Sequence, residues 1–323
     1  MKTIYLNNLT ETVPPCVATI GFFDGVHHGH ADLIHHVAQQ AEAEGLQSAV
    51  ITFDRHPRQV LAQVYQPLML TTFDEKLRLL SHTPIKYCVV LPFTRELAAM
   101  SARQFMDEVL SRRLHVRHLV VGYDHRFGHD RSEGFADYVR YGRELGIAVD
   151  QWEVFKMRGQ NISSSLIRRY LQEGEVLRAA ECLGYYYELA GRVVGGHQMG
   201  RKMGFPTANI EADEGKLIPA PGVYAVKAFA EHSALPYKAM MNVGVRPTFG
   251  GGDLSLEVHV FGLHQDIYGE RLTVQFLHRL RQERCFDSVE ELVRQLQADA
   301  CMVKEYFDKE YPEWTGGNAA RAF

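Results

Sequence analysis

The sequence lacks the features that mark membrane-spanning, secreted and nucleic-acid-binding proteins. It has no run of about 18 apolar residues and no apolar stretch near the amino terminus, so neither membrane insertion nor export is predicted. The formal net charge of −4 gives no basic surface for nucleic acid, and any phosphate site must therefore be local. Cysteine is scarce, odd in number and without paired spacing, which predicts reduced thiols and a cytoplasmic location. The cysteines are Cys16, Cys88, Cys182, Cys285 and Cys301.

Short apolar runs alternate with amphipathic helical patterns from residue 16 to about residue 154. This alternation predicts a mostly parallel, doubly wound sheet, an α/β fold of Rossmann-like type that binds ligands at the carboxyl ends of its strands. The predicted strands cover residues 16–23, 48–53, 87–91, 118–123 and 148–155, and predicted helices cover residues 74–80, 102–113 and 133–145.

The pattern changes near Gly184. From Leu189 onward the apolar residues alternate with period two between glycines and prolines, which predicts antiparallel strands that close into a β-barrel. A last helical pattern covers residues 288–307. Because 323 residues suffice for two separate cores, we predict domains over residues 1–184 and 185–323.

The segment from Gly21 to His30 has the order strand end, tight turn and helix start. His27 and His30 lie one helical turn apart and share a face. The unpaired N–H groups of a helix start, the helix dipole and imidazoles that can be protonated together favour an anion, with phosphate as the expected ligand. The residues expected to contribute are Gly21, Phe23, Asp24, His27, Gly29 and His30.

Other interpretations of the histidines are open at this point. His27, His28, His30, His35 and His36 could form a metal cluster or a solvated helix face. No cysteine or carboxylate stands at the spacing that would complete a tetrahedral metal site. A solvated helix face accounts for His35 and His36. It accounts poorly for residues 25–30, because glycines next to histidines at a strand-to-helix turn are unusual in an ordinary surface segment.

Consecutive serines mark a second helix start. Ser163, Ser164 and Ser165 are good N-caps, and capping alone would explain them. Their hydroxyl and N–H groups also suit an anion, and Arg168, one turn further on, offers a planar fork for phosphate oxygens. We therefore predict that these residues complete the phosphate site of the first helix start.

The segment of residues 122–128 follows a predicted strand at the same edge of the sheet. Asp124 can accept a hydrogen bond from a hydroxyl or amide, and Phe127 can stack on a ring, which are the two contacts that a nucleoside offers. A plain turn between strand and helix is the alternative.

A glycine-rich segment, residues 191–210, opens the second half. Its glycines allow close backbone approach to a bulky ligand, and its basic residues bring positive charge. Thr207 and Asn209 stand two residues apart, so in an extended segment they face one side and offer two oxygen ligands for Mg²⁺. The alternative is a polar pair on the surface of a strand. The residues expected to bind phosphate here are Gly195, Gly200, Arg201, Gly204 and Pro206.

Strand alternation also singles out Glu257. Leu256, Val258 and Val260 face one side of a predicted strand, and Glu257 and His259 face the other. An outward carboxylate is usually only solvated, whereas one beside a ligand hydroxyl can accept its proton during phosphoryl transfer.

These motifs resemble those of a known family. Residues 21–30, Gly-Phe-Phe-Asp-Gly-Val-His-His-Gly-His, resemble the H-x-G-H signature of nucleotidylyltransferases in the version found in prokaryotic bifunctional riboflavin kinase/FMN adenylyltransferases. Residues 162–168 are similar to the family's Ile-Ser-Ser-Thr-x-Ile-Arg motif. Residues 204–209, Gly-Phe-Pro-Thr-Ala-Asn, closely resemble riboflavin kinase. The resemblance covers roughly residues 15–310.

The resemblance implies two reactions with ATP as co-substrate. The barrel domain would phosphorylate riboflavin to FMN, with Mg²⁺ bound through Thr207 and Asn209 and with Glu257 as base. The N-terminal domain would adenylylate FMN to FAD and release pyrophosphate, a task of positioning and electrostatics. The implied flavin contacts are Asp124, Phe127, Arg246 and Arg279. The implied partners are riboflavin, FMN and ATP, without nucleic acid or membrane, and no oligomeric state is predicted.

Three positions depart from the family pattern. Arg55 stands where the family usually has proline, His125 replaces an aromatic apolar residue, and Gly262 stands where aspartate is frequent. These departures leave open a chain with only one working site. Two further alternatives are an adenylyltransferase for another acceptor, such as phosphopantetheine or nicotinate mononucleotide, and a flavin-binding regulator without catalysis. The riboflavin kinase motif counts against an adenylyltransferase for another acceptor.

Overall fold

The computed structural model describes residues 1–6, 12–56, 68–123, 125–129, 132–195, 200, 203–233, 235–246, 253–263 and 265–314. By its contacts the chain divides into two units, Met1–Ser164 and Ser165–Phe323. This division falls at the start of a helix and precedes residue 184, so the boundary near Gly184 stays a prediction. No helix within the described ranges is both long enough and apolar enough to span a membrane.

The first unit is built on a six-stranded parallel sheet of order β1-β4-β3-β2-β5-β6. The order reverses at β2, because β3 and β4 lie on one side of it and β5 and β6 on the other. Ligands bind doubly wound sheets at this switch point, outside the carboxyl ends of the strands. The Rossmann-like prediction is confirmed. The strands are β1 Lys2–Tyr5, β2 Cys16–Ile20, β3 Gln47–Phe53, β4 Tyr87–Leu91, β5 Val116–Gly122 and β6 Ala148–Trp152.

Both faces of this sheet are covered, which explains the continuous apolar runs of its strands. Along β2, Ala18 and Ile20 pack into one core and Val17 into the other. The helices are α1 His28–Ala43, α2 Phe73–Ser81, α3 Arg95–Ala99, α4 Ala102–Gln104 and α5 Phe135–Leu145, and a short hairpin follows with β7 Lys156–Met157 and β8 Gln160–Asn161. The predicted α-helix of residues 102–113 instead continues beyond α4 as a π-helix, Phe105–Arg113.

The second unit contains a closed antiparallel barrel of order β10-β13-β12-β11-β14-β9. This confirms the barrel that the period-two pattern predicts. Its strands are β9 Glu188–Val194, β10 Ala208–Ala212, β11 Gly222–Ala230, β12 Tyr237–Arg246, β13 Asp253–Val260 and β14 Arg271–Arg281. Helices α6 Ser164–Glu173 and α7 Val176–Leu183 precede the barrel, and α8 Val289–Glu310 follows it.

Helix α8 is fixed to the barrel by apolar packing and by one buried ion pair. Val303 and Phe307 are fully buried and pack into a cluster with Leu277 of β14. Asp299 is also fully buried, and Arg281 of β14 donates to its carboxylate at 2.7 Å. A buried carboxylate is tolerated only when it is paired in this way. The pair therefore fixes α8 at the edge of a cavity in the barrel unit.

Candidate active sites

The backbone between β2 and α1 makes a tight turn that contains strained residues. Gly21 N donates to Ile51 O at 3.0 Å and so holds the end of β2 against β3. Phe23 and Val26 have φ values of 55° and 37°, which place two non-glycine residues in the left-handed region. Each such conformation costs about 1–3 kcal/mol, and such residues cluster at functional sites.

The side chain of Asp24 holds this turn from inside the protein. It is 3% exposed, and its carboxylate accepts hydrogen bonds from the N–H groups of Leu70 and Thr71, each at 3.0 Å, and from Thr71 Oγ1 at 3.1 Å. The sequence predicts Asp24 as a phosphate contact. Because these hydrogen bonds occupy its oxygens, the carboxylate acts as an anchor, and a phosphate contact stays a prediction.

We expect Asp24→Ala to destabilise the first unit by about 2–4 kcal/mol, because the buried N–H groups of Leu70 and Thr71 would lose their acceptor. For a unit of this size, that loss lowers the Tm by roughly 4–16 °C. Thermal unfolding followed by circular dichroism measures the change. Asp24→Asn keeps one acceptor oxygen and should lose less. An unchanged unfolding temperature for Asp24→Ala would show that the carboxylate is not an anchor.

His27 caps the first turn of α1 with its ring. Its Nδ1 accepts from His30 N at 3.3 Å, so neutral His27 carries its proton on Nε2. The His27 and His30 rings stack with centroids 3.7 Å apart and an interplanar angle of 14°. Gly29 leaves room for this arrangement, since a Cβ there would lie 3.2 Å from His27 Cε1. The two imidazoles therefore have a fixed geometry at the helix start.

His30 is an uncharged imidazole in this setting. Burial lowers its pKa well below the ordinary value, and the charges of His27 and Lys76 lower that pKa further. Its Nδ1 is buried and has no hydrogen-bond partner among the described residues. The structure thus corrects the idea of a protonated imidazole here. The metal-cluster alternative has no support in the described part of the chain, where no group of three or more potential ligands occurs.

The start of α6 lies against the same turn. Ser164 Oγ donates to Asp24 O at 3.0 Å. The carbonyl oxygen of Ile162 lies 3.6 Å from the position that a Cβ on Gly29 would take. Residues 162–164 and the turn of residues 21–30, far apart in the sequence, are therefore in contact within the first unit. Phosphate contacts stay predictions for the rest of this segment, Ser163, Ser165 and Arg168.

Phe127, in the loop after β5, is packed against protein. Its ring stacks on Tyr138 of α5 with centroids 4.1 Å apart, and its N–H donates to Tyr138 Oη at 3.0 Å. One face of the ring is therefore occupied, and a flavin contact stays a prediction. Asp124 lies outside the described residues.

Two cavities in the barrel unit share Thr207 in their walls. Asn209 of β10 is paired with Glu257 of β13, and Asn242 of β12 is paired with Glu257 from the other side. Paired residues of adjacent strands face the same side, so Glu257 lies between two amides. The first cavity is lined by Val193, Pro206, Thr207, Asn209, Val258 and Tyr268 among others, and the second by Gly200, Thr207, Asn242, Glu257, His259 and Arg281 among others.

Two glycines shape the loop that leads to Thr207. Gly204 has a φ of 78°, a left-handed conformation that favours glycine. Phe205 N donates to Gly200 O at 2.8 Å, and a Cβ on Gly200 would lie 3.4 Å from Thr207 Oγ1. Among the other predicted residues, Gly195 is exposed just after β9, Pro206 lines the first cavity, and Arg201 and the side chain of Arg246 lie outside the described residues.

Comparisons with known proteins assign both halves of the chain to one family. A family model described as FAD synthetase matches residues 9–166, and one described as riboflavin kinase matches residues 183–307. A bifunctional riboflavin kinase/FMN adenylyltransferase from Haemophilus influenzae is 35% identical over 94% of this chain and 98% of its own length. One from Listeria monocytogenes is 37% identical over 96% of this chain and 99% of its own length. The chain belongs to the bifunctional riboflavin kinase/FMN adenylyltransferase family.

The family assignment confirms both predicted activities. The kinase model matches the region of the barrel, and the FAD synthetase model matches the parallel-sheet unit. A crystal structure described as a macrolide-efflux protein from Streptococcus pneumoniae has a TM-score of 0.85 at 31% identity, and it covers 94% of this chain and 99% of its own. The fold is therefore shared over almost the whole chain.

Lys76 is a residue of the adenylyltransferase unit that sequence reasoning missed. It is 2% exposed on α2, and its Nζ donates to Phe53 O at 2.9 Å and to Thr52 Oγ1 at 3.3 Å. Burial lowers its pKa to about 8. The signal in the sequence is a lysine one turn before Leu80, on the apolar face of an amphipathic helix.

His259, in the riboflavin kinase unit, has a position that the sequence predicts but a role that it does not. Its Nδ1 donates to Pro206 O at 2.8 Å, directly before Thr207. Burial lowers the pKa of His259, the hydrogen bond to Pro206 opposes that change, and the charge of Lys304 adds to it. Neutral His259 therefore holds the loop of the Gly-Phe-Pro-Thr-Ala-Asn motif and lines the same cavity as Glu257.

The guanidinium of Arg279 binds backbone carbonyl groups and does not line the cavity beside Glu257. Its guanidinium donates to Glu173 O at 3.1 Å and to Pro221 O, which joins the end of α6 to the residue before β11. The cavity beside Glu257 is instead lined by Arg281 and Arg284. These contacts use Nη1 and Nη2 of Arg279, whereas its buried Nε has no hydrogen-bond partner among the described residues. Its flavin contact stays a prediction.

Proposed function

We propose that the turn of residues 21–30 is the site of FMN adenylylation and that the barrel cavities are the site of riboflavin phosphorylation. The observation that supports the phosphorylation site most directly is the position of Thr207 in both cavities. Phosphoryl transfer requires that the attacking hydroxyl and the bond to the leaving group lie in line. Two cavities that share Thr207 in their walls can hold the phosphate donor and the acceptor next to each other. ATP is the co-substrate of both activities.

In the kinase reaction, Glu257 accepts the proton of the riboflavin 5′-hydroxyl as that oxygen bonds to the γ-phosphorus of ATP. The bond from the γ-phosphorus to the bridging oxygen breaks, and FMN and ADP are the products. Asn209 and Asn242 are the register partners of Glu257 on the two neighbouring strands, so their side chains lie on the same face as the carboxylate. The pair of Arg281 and Asp299 holds α8 over the cavity and helps to exclude water.

Mg²⁺ is the metal that this site suits. Thr207 and Asn209 line the same cavity and supply neutral oxygen atoms, which Mg²⁺ accepts when substrate phosphates complete its coordination. When bound, the ion neutralises charge on the phosphates of ATP.

In the adenylylation reaction, a phosphate oxygen of FMN attacks the α-phosphorus of ATP. The bond from that phosphorus to the bridging oxygen breaks, pyrophosphate leaves and FAD forms. The N–H groups at the start of α1, neutral His30 and the Nε2–H of His27 donate to phosphate oxygens. No covalent bond to the protein is needed.

We expect Thr207→Ala to slow FMN formation from riboflavin and Mg²⁺–ATP about 10-fold or more, because one oxygen for the metal and phosphates is lost. Thr207→Ser keeps the hydroxyl and should retain most of the activity. HPLC separation of riboflavin, FMN and FAD measures both reactions, and FAD formation from supplied FMN should not change in either variant.

Equal FMN formation by Thr207→Ala and the unaltered protein would remove Thr207 from the kinase site. Accumulation of FMN without FAD in the unaltered protein would contradict the proposed adenylylation site.

A further inference from the structure

Lys76 places a buried positive charge at the ligand-binding edge of the parallel sheet. Its Nζ bonds to Thr52 Oγ1 and Phe53 O, at the carboxyl end of β3, and lies 4.1 Å from the ring centroid of Phe22, just after β2. Thr52 Oγ1 in turn donates to Phe22 O at 3.2 Å. The ammonium group therefore supports the turn that begins at Gly21.

This charge has no carboxylate partner at ion-pair distance within the described part of the chain. The nearby carboxylates that influence its pKa, Asp24 and Asp54, are engaged elsewhere. Asp24 accepts from the N–H groups of residues 70 and 71, while Asp54 accepts from Phe93 N at 2.9 Å and from Arg55 Nε at 3.3 Å. A buried cation without a counter-ion is costly, and a bound anion would supply one.

The field of Lys76 extends to the start of α1, because its charge lowers the pKa of His30. His30 is uncharged, so it contributes hydrogen bonds but no positive charge to an anion at this helix start. Lys76 is thus a source of positive charge beneath the predicted phosphate site.

We infer that Lys76 is a positioning residue of FMN adenylylation, whose charge and contacts with Phe22 and Thr52 hold the turn of residues 21–30 ready for the phosphates of ATP and pyrophosphate. This inference rests on the proposed adenylylation site. Lys76 acts through the turn and through its electric field, and not by contact with the reacting phosphorus.

The charge of Lys76 should make adenylylation dependent on pH. Burial lowers its pKa to about 8, against the opposing effects of Cys88, Asp24 and Asp54. Its charge is therefore present below about pH 8 and lost above it. Because kcat/KM reports the free enzyme, kcat/KM for ATP in FAD formation should fall above that pH.

The test compares Lys76→Met with Lys76→Arg, with Lys86→Met as a matched control at an exposed lysine of the same unit. At pH 7, Lys76→Met should lower kcat/KM for ATP about 10-fold or more and raise KM for pyrophosphate in the reverse reaction from FAD. Lys76→Arg should retain most of the activity, and its decline above pH 8 should move to higher pH, since guanidinium stays charged. Riboflavin kinase activity of the same preparations should not change.

A Lys76→Met protein with normal kinase activity and unchanged adenylylation would overturn the inference. If Lys76→Met does not fold, Lys76→Arg decides, because an unchanged decline near pH 8 would show a merely structural role. The variant His30→Ala distinguishes a failure of the Lys76 inference from a failure of the proposed adenylylation site. If His30→Ala leaves FAD formation intact, the site itself is wrong; if it abolishes FAD formation while both Lys76 variants behave normally, only the role of Lys76 fails.

Discussion

Glu257→Gln is expected to lower riboflavin phosphorylation by about 10²–10⁴-fold, the usual contribution of a general base. Glutamine has the same size and can still be held between Asn209 and Asn242, but it cannot accept the proton of the riboflavin hydroxyl. The measurement is FMN formation from riboflavin and Mg²⁺–ATP, followed by HPLC. FAD formation from supplied FMN should be unchanged, which shows that the chain is folded.

The control for this variant is Glu214→Gln, a change at an exposed carboxylate of the same unit. It should leave both reactions unaltered. Riboflavin binding by Glu257→Gln, measured by quenching of flavin fluorescence, should persist, because the cavity keeps its shape. Unchanged turnover in Glu257→Gln would show that another group is the base.

His30→Ala is expected to lower FAD formation and to leave riboflavin phosphorylation unchanged, the opposite of Glu257→Gln. Loss of the imidazole removes one hydrogen-bond donor to the phosphates and the stacking partner of His27, and FAD formation should fall about 10²–10³-fold. Riboflavin and ATP should then yield FMN that accumulates. The same chromatographic assay, run with riboflavin and separately with FMN, measures the effect.

His35→Ala is the matched control, because His35 is an exposed residue of the same helix whose Nδ1 donates to the carbonyl of Ala31. It should form FAD at the normal rate. Normal FAD formation by His30→Ala would place adenylylation elsewhere in the unit.

The sequence predicts the main elements correctly because their signals are periodic and local. Alternation of apolar runs and helical patterns leads to the parallel sheet, and period-two alternation leads to the barrel. The errors lie where conformation depends on tertiary contacts. The predicted strand of residues 16–23 ends at Ile20, since Phe23 is in a left-handed conformation held by the turn. Strand β1, only four residues long and with a single buried residue, gives too weak a pattern to be predicted.

Among the site residues, the sequence could identify chemical types but not the atoms that each side chain contacts. Asp24 has the chemistry of a ligand-binding residue, yet its carboxylate accepts from residues 46 and 47 positions later in the chain. Arg279 stands where the family motif suggests a flavin contact, yet two of its donor atoms bind backbone carbonyls. The sequence predicts no role for Lys76, because a lysine in an amphipathic helix is normally solvated.

The sequence by itself determined the two domain types, the family and the helix start that carries His27 and His30, because periodicity and short motifs are properties of neighbouring residues. The tertiary structure decided which polar side chains are already hydrogen-bonded within the protein and which side chains are charged. Asp24 is an anchor, His30 is neutral and Lys76 keeps a charge without a counter-ion among the described residues. These properties depend on burial and on partners distant in the chain, since desolvation and hydrogen bonding act through space.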